Sequence, residues 1–178
     1  MSDKKRTVIV VDDEPNVLNA VRRTLRSLDI NLVTLDNPYD AFALVKQQPH
    51  AVVADFRMSG MTGLRLLRLV KEISPTTVRI LFTAFADTEL VIDAVNKGEV
   101  FRFIRKPWDE IEFQEVILNA IEFHDVLKEN QQLLATVRQQ NDALREIEKQ
   151  SPGIAKLPPQ DEGGAFIIEP PELDEAMS

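Results

Sequence analysis

From residue 5 to about residue 107 the chain alternates short apolar runs with stretches of helical period. The runs "RTVIVV", "INLVTL", "HAVVAD", "TVRILFT" and "VFRFI" predict five short strands. The first, third and fourth are continuously apolar, as parallel strands covered on both faces are. Between them the spacing predicts helices over Glu14–Ser27, Tyr39–Gln47, Gly63–Ile73 and Asp87–Lys97, the first with Val17, Leu18, Val21 and Leu25 on one face. Strict alternation of strand and helix implies an α/β fold with a doubly wound sheet.

From Asp109 to about Gln150 the pattern stays helical, with neither Pro nor Gly to interrupt it, which is long for a globular helix. Ile111, Phe113, Val116, Ile117 and Ala120 are expected to pack on the sheet. Beyond them Phe123, Val126, Asn130, Leu133, Val137, Gln140, Leu144 and Ile147 recur at heptad steps, with Asn130 at an a position. A buried Asn there is a known way to set a two-stranded register. A competing seam through Leu127, Leu134 and Val137 leaves the register open, and a solvated helix with scattered apolar residues is the alternative to a coiled coil. From Ser151 five prolines and three glycines fall in the last 28 residues, the composition of a disordered acidic tail. Its "AFIIEPPEL" is either a short partner-binding motif or a linker remnant. The expected division is thus 1–123 for the globular domain, 124–150 for a helical extension and 151–178 for the tail.

The net charge of −8 argues against a broad nucleic-acid-binding face. It is uneven: residues 151–178 hold one lysine against six carboxylates, a net of −5, which leaves −3 for the rest. The absence of cysteine excludes disulfides and thiolate metal sites. No apolar run is long enough to span a bilayer and no secretory signal follows the charged N-terminus. A cytoplasmic protein is the simplest expectation.

The chemistry gathers at strand ends. "TVIVVDDEP" runs from a strand straight into Asp12, Asp13 and Glu14, and "AVVAD" closes on Asp55. Open α/β sheets bind ligands beyond the carboxyl ends of their strands, where the strand order reverses. If the first and third strands are neighbours, three carboxylates converge. Unit charges about 4 Å apart repel by about 4 kcal/mol at an effective dielectric near 20, so such a cluster takes a proton or a cation. An oxygen-only set suits a hard ion such as Mg²⁺. Asp13 before Glu14 and Pro15 could instead be only a helix cap. The fourth strand ends at Thr83, with the small Ala84 beside it, and the fifth leads to Lys106 and Pro107, a candidate cis bond. Carboxylates, a hydroxyl and an ammonium, each at its own strand end, are what phosphoryl transfer requires.

These residues resemble the receiver domain of two-component response regulators. The resemblance covers roughly residues 5–123 and rests on "VDDEP", "DFRMSGMTG", "LFTAF" and "FIRKPW", in order and at the right spacing. It implies a five-stranded parallel sheet in the order 2-1-3-4-5. It implies that Asp55 accepts a phosphoryl group from a phosphohistidine of a sensor histidine kinase or phosphotransfer protein. Asp13, Asp55 and the backbone carbonyl of Arg57 would ligate Mg²⁺, and Asp12 would act on it through water. Thr83 would hydrogen-bond the phosphoryl oxygen, Lys106 would pair with it, and Phe103 would be the aromatic switch, as a Phe with no hydroxyl to anchor it. Arg57 and Phe85 stand where the family tunes the lifetime of the phosphate. Ser59 replaces the usual Pro and Thr62 a frequent Asp, departures that remove no reactive group.

"FRFIRKPWDEIEF" is similar to a subgroup whose long final helix leads to an output domain, as in cyclic-di-nucleotide hydrolases and enhancer-binding regulators. No helix-turn-helix, ATP-binding glycine loop or His–Asp hydrolase motif follows. Either the chain works by contact, or it is a piece of a longer protein. The expectation is a phosphorylation-controlled switch, not an enzyme by role. It would act on an unknown downstream protein as a homodimer paired through the C-terminal helix, with no direct contact to nucleic acid or membrane. The rivals are a constitutive dimeric adapter and an Mg²⁺-dependent phosphohydrolase. Against the last, Arg57 occupies the place of that class's second Asp.

Overall fold

The computed structural model describes residues 6–84, 92, 94–97 and 99–150. The fourth expected helix lies largely outside them; its described residues 92 and 94–96 are helical. Phe85 and the 151–178 tail, with "AFIIEPPEL", also lie outside the described residues. Two compact units divide at Asn130/Gln131.

The first unit is built on β1 (Thr7–Val11), β2 (Asn31–Leu35), β3 (Ala51–Asp55), β4 (Val78–Thr83) and β5 (Arg102–Arg105). All pair in parallel, in the order β2-β1-β3-β4-β5. The apolar runs behave as their β-branched composition demands: β3 is buried throughout, β1 and β4 nearly so, while the outer β2 and β5 are half-covered. β5 begins two residues later than its apolar run, so Val100 and Phe101 precede the strand.

Helix α1 (Pro15–Thr24) packs Leu18 and Val21 into the core and ends before Leu25, three residues short of the expected Ser27. The second helix, α2, is a single turn or so, Ala41–Val45, and α3 runs over Gly63–Ile73 as its period predicts. One face of the sheet carries Val8, Val10, Ile80 and Phe82 against α1 and the long helix α4 (Glu110–Gln150); the other carries Ile9, Val11, Val52 and Leu81 against α2 and α3.

In α4, Phe113, Val116, Ile117 and Ala120 are buried as expected, and so are Ile121 and His124. Ile111 is not: it is 68% exposed. It lies in the first turn, two residues before the first buried position, Phe113. Phe123, taken as the first member of the heptad seam, stacks instead on Phe101 at 4.8 Å between ring centres. In the second unit, Leu133, Leu134, Val137, Leu144 and Ile147 are exposed, and the pairs Asp142–Arg145 and Glu146–Lys149 lie along the helix surface. No helix of the described residues is long and apolar enough to cross a membrane.

Candidate functional site

The pairing of β1 with β3 (Val11 opposite Ala54) makes their carboxyl ends neighbours. β2 lies on one side of β1 and β4 beyond β3, so the chain reverses its winding between β1 and β3, where an open α/β sheet forms its crevice. Asp12 and Asp13 follow β1 and Asp55 closes β3.

Lys106 joins them. Its ammonium donates to Asp12 Oδ2 at 2.6 Å and to Asp55 Oδ1 at 2.5 Å, both shorter than the roughly 2.7–2.9 Å usual for charge-assisted N–H···O bonds. The Lys106 N–H continues the sheet by donating to the Thr83 carbonyl at 2.9 Å, and the bond to Pro107 is cis. Behind the ammonium, Phe82 presents its ring 5.5 Å away, Trp108 stacks on Phe82, and Trp108 Nε1 donates to Thr24 Oγ1.

Each carboxylate has further partners. Asp12 is wholly buried and accepts the Glu14 N–H on Oδ1. Asp55 accepts the Arg57 N–H on Oδ2. Asp13 takes both the N–H and the hydroxyl of Ser59 on Oδ2, at 2.9 and 3.0 Å. Asp13 is therefore no helix cap: the N-cap of α1 is Glu14, whose side chain makes no capping bond. Burial holds Asp12 above the ordinary carboxylate value, although the bonds from Lys106 and Glu14 pull it down. For Lys106 burial acts downward, but the bonds to Asp12 and Asp55 outweigh it and hold the ammonium above its ordinary value. One cation is thus fixed between two carboxylates in a half-closed crevice.

The other expected residues make contacts elsewhere. Thr83 is buried and its hydroxyl donates to the Ala84 carbonyl at 2.9 Å, not to Asp55. Phe103, opposite Leu81 in the sheet, is half-buried against the core. Asp12 and Asp55 already hold a positive charge between them, and with Asp13, next to Asp12 in the chain, the donors are oxygen only, a chemistry that fits a hard divalent cation.

Sequence reasoning missed three features. Thr62 caps α3 through the Arg65 N–H. Ser59 reaches Asp13. Gly63 starts α3 where a Cβ would meet the Asp55 carbonyl oxygen at 2.0 Å. The available signal for the last was a glycine at the head of a strongly periodic helix, where it costs stability relative to Ala.

A second group of ligand-type side chains, His50, His124 and Asp125, also comes together. Asp125 Oδ1 lies 3.3 Å from His124 Nδ1 and 3.6 Å from His50 Nε2. But the Thr7 N–H donates to His50 Nδ1 at 3.1 Å. The neutral ring then carries its proton on Nε2 and offers no lone pair there. The group is a polar clamp between the head of β3 and α4 rather than a metal centre.

The response regulator receiver domain model matches residues 8–118. The chain belongs to the response regulator receiver family. It is 38% identical over 123 residues to the hydrogenase transcriptional regulatory protein HoxA of Cupriavidus necator, covering 68% of this chain and 25% of that one. Against the DNA-binding transcriptional regulator NtrC of Escherichia coli it is 31% identical over 126 residues, covering 70% and 26%. The signal receiver domain of an HD domain-containing protein from Pseudomonas fluorescens superposes with a TM-score of 0.67 at 26% identity, covering 72% of this chain and 96% of that one. This receiver spans about a quarter of the length of the curated relatives it matches. Receivers are phosphorelay components that in general bind Mg²⁺, and the sheet order expected from the resemblance is the one observed.

Proposed function

We propose that this receiver takes a phosphoryl group on Asp55 and transmits the event through altered protein–protein contacts. The observation that carries the reading is the Lys106 ammonium held between Asp12 and Asp55 at the β1/β3 reversal. The donor is a phosphohistidine of a sensor histidine kinase or phosphotransfer protein. A carboxylate oxygen of Asp55 attacks phosphorus. The P–N bond breaks as the P–O bond forms, and the electron pair leaves on the imidazole, which takes up a proton. Lys106 then exchanges the Asp55 oxygen for a phosphoryl oxygen. Thr83 turns its hydroxyl from the Ala84 carbonyl to the same group, and Phe103 follows inward. Asp13, Asp55 and the Arg57 carbonyl would hold Mg²⁺, with Asp12 acting through water. When bound, the ion supplies charge neutralisation for the transferred group.

In this reading the chain is a cytoplasmic switch rather than an enzyme, with no contact of its own to nucleic acid or membrane. Residues 1–123 form the receiver, 124–150 pair two copies, and 151–178 are an acidic tail; the downstream protein is unidentified. The exposed Leu133, Val137, Leu144 and Ile147 at heptad spacing support pairing. They also favour a second reading, a constitutive dimeric adapter.

Light scattering in Mg²⁺, with and without beryllofluoride as phosphoryl mimic, separates the two. A mass or shape change that Asp55→Asn abolishes supports the switch. A dimer indifferent to both supports the adapter.

A further inference from the structure

We propose that Ser59 is a positioning residue that orients the Asp13 carboxylate toward the divalent cation, an inference that rests on the Mg²⁺ site just proposed. Asp12, Asp13 and Asp55 each accept two hydrogen bonds, but not in the same way. On Asp12 the Glu14 N–H and Lys106 take different oxygens, and on Asp55 the Arg57 N–H and Lys106 do likewise. On Asp13 both donors come from Ser59 and both fall on Oδ2. An ionised carboxylate has about two acceptor directions on each oxygen. Oδ2 is therefore filled, and Oδ1, which takes no hydrogen bond from a described residue, is the oxygen left for the metal.

Of the three carboxylates, Asp13 thus has an oxygen already cleared for an ion. The clearance comes from an exposed serine 46 residues away, in the loop that leaves Asp55. The same two bonds tie that loop to the end of β1, so the carbonyl side of the loop and the Asp13 side are held in fixed relation before the ion arrives. Partners that orient a ligating carboxylate are commonly worth about 10- to 100-fold in metal affinity.

The test is titration with Mg²⁺ alone, by calorimetry and by the fluorescence of Trp108, the single tryptophan, two residues from Lys106. Ser59→Ala removes the hydroxyl and Ser59→Pro also removes the N–H. Ser59→Thr keeps both, and the exposed position has room for the added methyl. Ser59→Ala is expected to weaken Mg²⁺ binding about 10-fold and Ser59→Pro further, while Ser59→Thr keeps wild-type affinity. Urea midpoints in EDTA should stay together for wild type, Ala and Thr, which a merely structural role would not give. Unchanged or tighter binding by Ser59→Ala overturns the inference while leaving the metal site standing. No Mg²⁺ binding by the wild type overturns both.

Discussion

Gly63 and Asp55 touch through their backbones: a Cβ on Gly63 would lie 2.0 Å from the Asp55 carbonyl oxygen and 2.8 Å from its carbonyl carbon. The Gly63 N–H donates to the Phe56 carbonyl at 3.1 Å, which draws the head of α3 onto the end of β3. Neither neighbour is a flexible side-chain end, so Gly63→Ala must move the turn that carries Asp55. Overpacking of this kind costs about 1–3 kcal/mol. Urea unfolding should show that loss, and labelling by acetyl phosphate should slow along with it. A stable variant labelled at the wild-type rate would mean that the turn has slack.

Lys106→Met should accept phosphate from a small donor yet fail to transmit it. It should also be less stable in EDTA. Asp12 is wholly buried, and without the ammonium its carboxylate and that of Asp55 face each other uncompensated. Leaving a buried polar group unsatisfied costs about 1–3 kcal/mol. Because Lys106 retains some solvent contact, the low end is expected, and Mg²⁺ should restore part of it. Urea curves with EDTA and with Mg²⁺ provide the check; equal stability of wild type and variant in EDTA would count against a strained cluster.

The strands and the charged residues at their carboxyl ends were legible in the sequence because each rests on local information. A run such as "AVVAD" states both its burial and what stands at its end. What stayed hidden is tertiary. His124 sits on a helix at a position that reads as polar, yet it is buried, with its ring 4.4 Å from that of His50, 74 residues earlier in the chain. Ile111 and Val116 look alike in the helical period, but only the second lies over the sheet. The bonds from Ser59 to Asp13 join two loops whose closeness follows only once β1 and β3 are paired.

Acid should loosen the clamp at the other end of the sheet. Burial lowers both His50 and His124 below the ordinary value of 6.5; at His50 the His124 ring, Lys128 and Arg6 add to this, at His124 Lys128 does, and Asp125 resists at both. A depressed folded value means that the unfolded chain binds the proton first. The stability contributed by the neutral rings is therefore complete above pH 6.5 and is lost as pH falls through the folded values. Protonation of His50 would also set a donor against the Thr7 N–H. Urea midpoints should fall between pH 7 and pH 5, and less steeply in His50→Gln. An identical slope in that variant would place the acid sensitivity in the carboxylates instead.

The length at which the helix can be cut follows from the same packing. Phe123 stacks on Phe101, His124 is 1% exposed, and Leu127 lines a cavity of about 390 Å³ with Phe101, Val95 and Val100. A fragment ending at Asn130 keeps all of these, and one ending at Phe123 loses the last two residues named on the helix. The shorter fragment should melt earlier, by the equivalent of about 2–3 kcal/mol for the loss of the buried His124 and the half-buried Leu127. The longer one should melt like the full chain. Both should run as monomers in light scattering if the exposed residues from Leu133 to Ile147 make the pairing contact. A dimeric 1–130 fragment would move that contact onto the receiver itself. The search for the downstream partner would then begin on the surface left free, not on the helix.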